Sequence, residues 1–211
     1  MLHQVLRGEG YDSVSVADGL SAITAATQEL TALVLLDLSL PELDGFEVCR
    51  RIRRVSSIPI IVISGRNLES DKLYAFELGV DDYVTKPFAP SELLARVKAV
   101  LRRADSARSE SEEGLIQYGD LTVDILSRRV WSGGREVMTT PIEFNLLRVL
   151  AMNQGKTLSH RTLLVQVWGP EYGSELECLR VHLSHLRHKI EPDPAHPQYI
   201  HTVPRVGYRF G

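Results

Sequence analysis

Four apolar residues in a row, Leu33-Val34-Leu35-Leu36, stop at Asp37 and pass at once into Leu38-Ser39-Leu40-Pro41-Glu42-Leu43-Asp44-Gly45, a segment with turn chemistry. A run of β-type apolar residues without polar alternation describes a strand buried on both faces, as in parallel sheets covered by helices. In such sheets the chemistry gathers at the carboxyl ends of the strands. Asp37 is then either a carboxylate at the mouth of a sheet or the cap of the following turn. The segment alone does not choose between them.

The rest of the first half continues the alternation. Residues 2–8 read as the tail of a helix ended at Gly10, 13–17 as a short strand, and 20–28 as a helix. After the strand ending at Asp37 come a helix over 46–54, a strand over 58–64, a helix over 70–78 closed by Gly79, a strand over 82–84 and an amphipathic helix over 91–103. This order predicts an α/β, doubly wound parallel sheet of four strands, with the chain beginning inside an α element. Asp37, Ser64 and Lys86 end three of those strands, the last within Tyr83-Val84-Thr85-Lys86-Pro87-Phe88. If the strands are neighbours, a carboxylate able to attack a phosphoryl group meets a hydroxyl and an ammonium able to hold the transferred oxygens. The Lys86-Pro87 bond is a candidate cis peptide that would aim the lysine inward.

At 211 residues the chain suits one large domain or two small ones. It has no apolar stretch near the roughly 20 residues that span a bilayer, and no signal-peptide layout at its N-terminus. A soluble, cytoplasmic protein without a membrane partner is expected. Cys49 and Cys178 lie far apart in helical segments and read as packing residues. Residues 1–113 carry 13 Lys/Arg against 18 Asp/Glu, whereas 114–211 carry 11 against 9, so the halves differ in kind. Between them residues 104–113 are Ser/Glu-rich and lack apolar anchors, the composition of a linker.

The second half alternates like an antiparallel sheet in Leu121-Thr122-Val123-Asp124-Ile125, Arg129-Val130-Trp131 and Glu136-Val137-Met138. Thr140, Pro141 and Glu143 then open a helix with a capping box, and Ser159 caps a second helix reaching Trp168. A third helix over 175–190 precedes a terminal hairpin. Leu179, Leu183, Leu186 and Ile190 form its apolar stripe, and Arg180, His182, Ser184, His185, Arg187, His188 and Lys189 occupy the other faces. A basic helix after two short helices and before a hairpin is the layout of a winged helix-turn-helix, which reads double-stranded DNA through the major groove.

Residues 1–103 resemble the receiver domain of bacterial two-component response regulators. The likeness rests on Leu35-Leu36-Asp37-Leu38-Ser39-Leu40-Pro41 with Asp44-Gly45, on Val62-Ile63-Ser64-Gly65, and on Gly79-Val80-Asp81-Asp82-Tyr83-Val84-Thr85-Lys86-Pro87-Phe88. The resemblance implies a flavodoxin-like fold, Asp37 as phosphoacceptor, a sensor histidine kinase as partner, Ser64 and Tyr83 as switch residues, and Lys86 as the partner of the phosphate. It also implies Mg2+ held by Asp37 and the backbone carbonyl of Ser39. A receiver normally opens with a strand ending in an acidic Mg2+-binding pair, and this sequence shows neither; Glu9 and Asp12 lie past the first helix and do not replace it. Two readings compete, a start placed too late and a degenerate receiver that dimerises without phosphorylation. The first is preferred, because losing a central strand exposes its neighbours' backbone groups. As given, the chain is expected to accept phosphate weakly or not at all.

Residues 114–211 resemble the effector domain of the OmpR/PhoB family. Thr140-Pro141-Ile142-Glu143-Phe144, Val167-Trp168-Gly169, His182-Leu183-Ser184-His185-Leu186-Arg187 and Val206-Gly207-Tyr208-Arg209-Phe210 carry the likeness. In that family charges matching Lys72, Glu77, Asp82, Glu92, Arg96 and Lys98 pair across a homodimer: Lys72 with Glu92, Asp82 with Arg96, and Glu77 with Lys98. Ser184-His185 replaces a common Arg-Arg pair, and with Trp168-Gly169-Pro170 and Asp193-Pro194-Ala195-His196-Pro197 it leans toward the Kdp potassium-uptake branch. Pro204-Arg205 stands at the wing turn without the usual Gly, leaving Arg205 to reach the minor groove or a phosphate. The loop over 169–174 is the expected RNA polymerase surface. An enzyme reading fails on Ser39, where aspartyl-phosphate phosphatases of the haloacid dehalogenase type want a second Asp. The expectation is a transcription factor with a receiver (1–103), a linker (104–113) and a winged helix (114–211).

Overall fold

The computed structural model of the chain describes residues 2–28, 31–40, 43–105, 114–170, 172 and 176–211. The chain divides into two compact units, Met1–Leu101 and Arg102–Gly211. The first unit contains α1 (Leu2–Gly8), α2 (Gly19–Ala26), β1 (Val34–Asp37), α3 (Gly45–Val55), β2 (Ile60–Ser64), α4 (Glu69–Glu77), β3 (Asp82–Thr85) and the start of α5 (Pro90–Asp105). Its strands pair in parallel in the order β1-β2-β3, with Asp37 opposite Ile63 and Ser64 opposite Thr85.

Alternation within the strands feeds two cores. Leu36, Ile60 and Val62 pack with Ala22, Ala26, Phe46, Val48 and Ile52 on one face, while Ile61, Ile63 and Val84 pack with Leu6, Leu93, Val97 and Val100 on the other. All five residues of β2 are buried, as an unbroken apolar run requires when helices cover both faces. At the opposite end of the sheet from Asp37, the Arg53 guanidinium reaches the Asp81 carboxylate at 2.8 Å and the Gly79 carbonyl at 2.9 Å. That carboxylate also accepts the Ile60 N–H at 2.9 Å, so a buried charge is both paired and hydrogen-bonded.

The expected strand over 13–17 does not form. The segment has no ladder partner among the described residues, and Val14 is 88 % exposed. A Ser/Val alternation fits a half-buried pleat, but a strand exists only when a neighbour takes its backbone hydrogen bonds. The described sheet therefore has three strands rather than four.

The second unit opens with an antiparallel sheet of β4 (Leu115–Tyr118), β5 (Leu121–Asp124), β6 (Arg129–Ser132) and β7 (Arg135–Val137) in sequential order. Then come α6 (Pro141–Met152), β8 (Thr157–Ser159), α7 (His160–Val167), α8 (Leu176–Ile190), β9 (Ile200–Val203) and β10 (Gly207–Phe210). The last three strands pair antiparallel in the order β8-β10-β9. Thr140 and Glu143 form the predicted reciprocal capping box of α6, and Ser159 caps α7 through the Thr162 N–H. Residues 106–113 of the expected linker, 171 and 173–174 of the expected polymerase loop, and 175 at the start of the expected third helix lie outside the described residues. No helix among the described residues is long and apolar enough to cross a membrane.

Candidate functional site

Parallel pairing brings the ends of β1, β2 and β3 together, and with them the three polar residues picked from the sequence. The Lys86 ammonium donates to Oδ2 of Asp37, and the Ser39 N–H donates to Oδ1 at 2.9 Å. Burial pushes the Asp37 carboxyl up, but hydrogen bonds from Lys86 and Ser39 and the lysine charge outweigh it and hold the group below the usual carboxylate range. The Lys86-Pro87 peptide is cis. Gly45 makes this packing possible: a Cβ there would stand 2.6 Å from the Leu38 Cα and 3.0 Å from the Asp37 carbonyl oxygen.

Ser64 and Tyr83 flank the pair from β2 and β3. Ser64 is fully buried, and its Oγ accepts the Arg66 N–H at 3.1 Å. Tyr83 is turned inward and 7 % exposed, and its hydroxyl donates to the Arg66 carbonyl at 2.7 Å. Burial pushes the Tyr83 hydroxyl up, partly offset by its hydrogen bond with Ser64. Ser64 and Tyr83 thus both hold the backbone of Arg66, a residue the sequence reading missed. Its place two positions after Ser64 was the available signal.

The described residues do not fit Mg2+. Among the described residues that close the site Asp37 is the only acid, both its oxygens are engaged, and no group of three or more described His, Cys, Asp or Glu could hold a metal ion. Glu9 accepts from the Lys98 ammonium at 2.5 Å, away from Asp37.

Four of the six charges expected to pair across a dimer, Asp82, Glu92, Arg96 and Lys98, have ion-pair partners inside the chain. Arg96 reaches Asp82 at 3.0 Å and Glu92, one helical turn earlier, at 3.2 Å. Lys98 is held by Glu9, Lys72 Nζ lies 6.0 Å from the centroid of the Tyr83 ring, and Glu77 is exposed.

In the second unit, Leu179, Leu183, Leu186 and Ile190 are buried as their spacing predicts. The opposite face of α8 exposes Arg180, Ser184, His188 and Lys189, with His185 half-buried. The His188 ring bonds the Ser184 carbonyl through Nδ1 at 2.8 Å, so that nitrogen carries the proton and Nε2 points away from the bond. Two residues assigned to the outer faces belong elsewhere. His182 is 0 % exposed, its ring 5.6 Å from that of Trp168, because it sits three residues after Leu179 on the apolar side. Arg187 turns back to the hairpin, donating to the Ile200 carbonyl at 2.7 Å and Thr202 Oγ1 at 2.8 Å above the Tyr208 ring. Arg205 is exposed at the turn between β9 and β10 with a left-handed φ of 64°.

Known proteins combine these two units in one chain. The family "Response regulator receiver domain" matches residues 1–98, and "Transcriptional regulatory protein, C terminal" matches residues 134–210. The KDP operon transcriptional regulatory protein KdpE of Escherichia coli is 43% identical over 212 residues, covering 99% of this chain and 92% of its own. Sensory transduction protein RegX3 of Mycobacterium tuberculosis is 41% identical over 206 residues, covering 97% of this chain and 90% of its own. Among solved structures, a mutant of RitR superposes with a TM-score of 0.78 at 26% identity, covering 100% of this chain and 92% of that one. The chain belongs to the OmpR/PhoB-type response regulators, DNA-binding proteins that control transcription.

Proposed function

We propose that Asp37 is the phosphoacceptor of a receiver (1–103) that drives pairing of two chains, joined by a linker (104–113) to a winged helix (114–211) that binds promoter DNA. The observation that carries this reading is the Lys86–Asp37 ion pair at adjoining strand ends, with Ser64 and Tyr83 beside it. A carboxylate oxygen of Asp37 attacks phosphorus, the bond to the donor's leaving group breaks, and an aspartyl phosphate forms. Lys86 then passes from the carboxylate to a phosphoryl oxygen, and the Ser64 hydroxyl donates to another. Receiver domains generally bind Mg2+ at this position. Among the described residues only the Asp37 side chain and the Ser39 carbonyl are offered to one, so no step here runs through a metal.

The donor is a sensor histidine kinase by family kinship, and the surface bearing Lys72, Glu77, Asp82, Glu92, Arg96 and Lys98 is the proposed homodimer face. Pairing there requires Arg96 and Lys98 to exchange internal carboxylates for those of a second chain. Arg180, Ser184, His185, His188 and Arg205 are the proposed DNA contacts, with Arg187 positioning the hairpin. The protein works in the cytoplasm, contacts RNA polymerase through the loop over 169–174, and sits in the Kdp branch by its Ser184-His185 pair.

Incubation with a small phosphodonor, with and without Mg2+, tests the central step. Mass spectrometry is expected to find a hydroxylamine-labile phosphoryl group, at low occupancy because the described residues do not hold Mg2+, that Asp37→Ala abolishes. The same adduct on the Asp37→Ala chain would refute the assignment. A second reading, a dimer that needs no phosphorylation, draws on Lys86 already neutralising Asp37 and on Tyr83 already turned in. Complete absence of the adduct would favour it.

A further inference from the structure

Both switch residues end on one amino acid. Ser64 Oγ accepts the Arg66 N–H at 3.1 Å and the Tyr83 hydroxyl donates to the Arg66 carbonyl at 2.7 Å, so the backbone at position 66 is held on both sides. Its side chain is anchored at a third place. The guanidinium carbon lies 5.4 Å from the centroid of the Phe46 ring, and Nη2 stands 3.9 Å from Oδ1 of Asp44. Phe46 is itself fixed: it is buried in the core and meets Tyr74 edge-on at 4.9 Å between centroids. Asp44 caps α3 through the Phe46 N–H, and the adjoining Gly45 packs on the Asp37 carbonyl.

The loop after β2 is therefore tied to the first turn of α3 by one cation. That loop has little else to set it. Gly65 meets nothing within 4 Å at its Cβ position, and Leu68 is 64 % exposed. Without the anchor, the Arg66 carbonyl would have no fixed position, and the Tyr83 hydroxyl would lose a partner whose place is set in advance.

We propose that Arg66 is a positioning residue of the receiver switch: its guanidinium, seated on Phe46 beside Asp44, sets the carbonyl that keeps Tyr83 turned in when Asp37 carries no phosphoryl group. This rests on Ser64 and Tyr83 being the switch residues. Arg66 touches no reacting atom. It defines how much of the inward state exists before phosphorylation.

A cation over an aromatic ring at a partly exposed site contributes enough to shift such a population about two- to fivefold. The test uses the full chain without phosphodonor, with hydroxyl-radical footprinting at Tyr83 read by mass spectrometry and Tyr11 as the internal reference. Arg66→Ala is expected to raise Tyr83 labelling about two- to fivefold, while Arg66→Lys, which keeps a cation over the ring, recovers most of the protection. Phe46→Leu, which keeps an apolar side chain in the core and removes the ring, should match Arg66→Ala, and it stands in if the first variant fails to fold. Unchanged Tyr83 labelling in a folded Arg66→Ala chain would overturn the proposal, as would an Arg66→Lys chain labelled as strongly as the alanine variant. Because no phosphodonor is present, failure of Asp37 to accept phosphate leaves this outcome unaffected.

Discussion

The charge on Asp37 is the most consequential single-residue property of the first unit, and its sign with pH is fixed by its partners. Hydrogen bonds from Lys86 and Ser39 lower the folded-state carboxyl relative to the unfolded chain. The stabilisation is thus present above the ordinary carboxylate range and lost as pH falls through the lowered folded value. Both side chains are about a third or more exposed, so Lys86→Gln should destabilise the chain by only about 0.2–1 kcal/mol at neutral pH. That gap should vanish in acid; a gap that persists there would mean that Lys86 acts through packing. Arg205 offers a second residue-scale case. Its φ of 64° lies where only Gly rests without strain, about 1–2 kcal/mol of which Arg205→Gly would relieve, less the added freedom of the unfolded chain. Calorimetry should show the second unit melting a few degrees higher, with weaker DNA binding from the same substitution.

The end of α8 and the hairpin after it are one construction. Glu191 follows the last residue of α8, is buried, and accepts the N–H groups of Gln198 at 2.7 Å, Tyr199 at 3.1 Å and Ile200 at 2.8 Å. Ile200 begins β9, so one carboxylate sets where the hairpin starts, and Arg187 ties the same strand from the preceding turn of α8. Glu191→Ala strands buried donors and should cost about 2–4 kcal/mol, seen as a lower denaturant midpoint, whereas Glu191→Gln, which keeps one acceptor, should recover part of it. A full recovery would mean that the charge adds nothing. Periodicity made the α8 core stripe legible, and strand-end spacing made Asp37, Ser64 and Lys86 legible, because both are local consequences of helix and sheet geometry. The strand over 13–17 was misread because local alternation cannot report whether a neighbour pairs with it. His182 was misassigned because a wide apolar face admits a ring whose polarity suggests the surface, and Arg66 was missed because its role depends on Phe46 and Tyr83, distant in sequence.

At the scale of the whole molecule, net charge says little about DNA affinity, since −3 overall conceals cations concentrated on α8 and at the wing turn. Arg187 and Lys189 face internal partners, the latter bonding Glu143 at 2.6 Å, which leaves Arg205 and Arg180, the latter paired on the surface with Glu177, as exposed arginines of the proposed interface. Each phosphate neutralised contributes about 0.9 to the slope of log K against log salt. For a chain bound alone, removing one phosphate contact lowers the slope by that amount. For a symmetric pair the same substitution removes it twice, a fall of about 1.8. Arg205→Gln, titrated on a duplex selected from a random pool at several salt concentrations, should show the larger fall if two chains occupy the site. Arg187→Gln should instead weaken binding with little change in slope, because it loosens the hairpin without giving up a phosphate. A slope reduced as much by Arg187→Gln as by Arg205→Gln would place the Arg187 guanidinium on DNA and break its assignment to the hairpin.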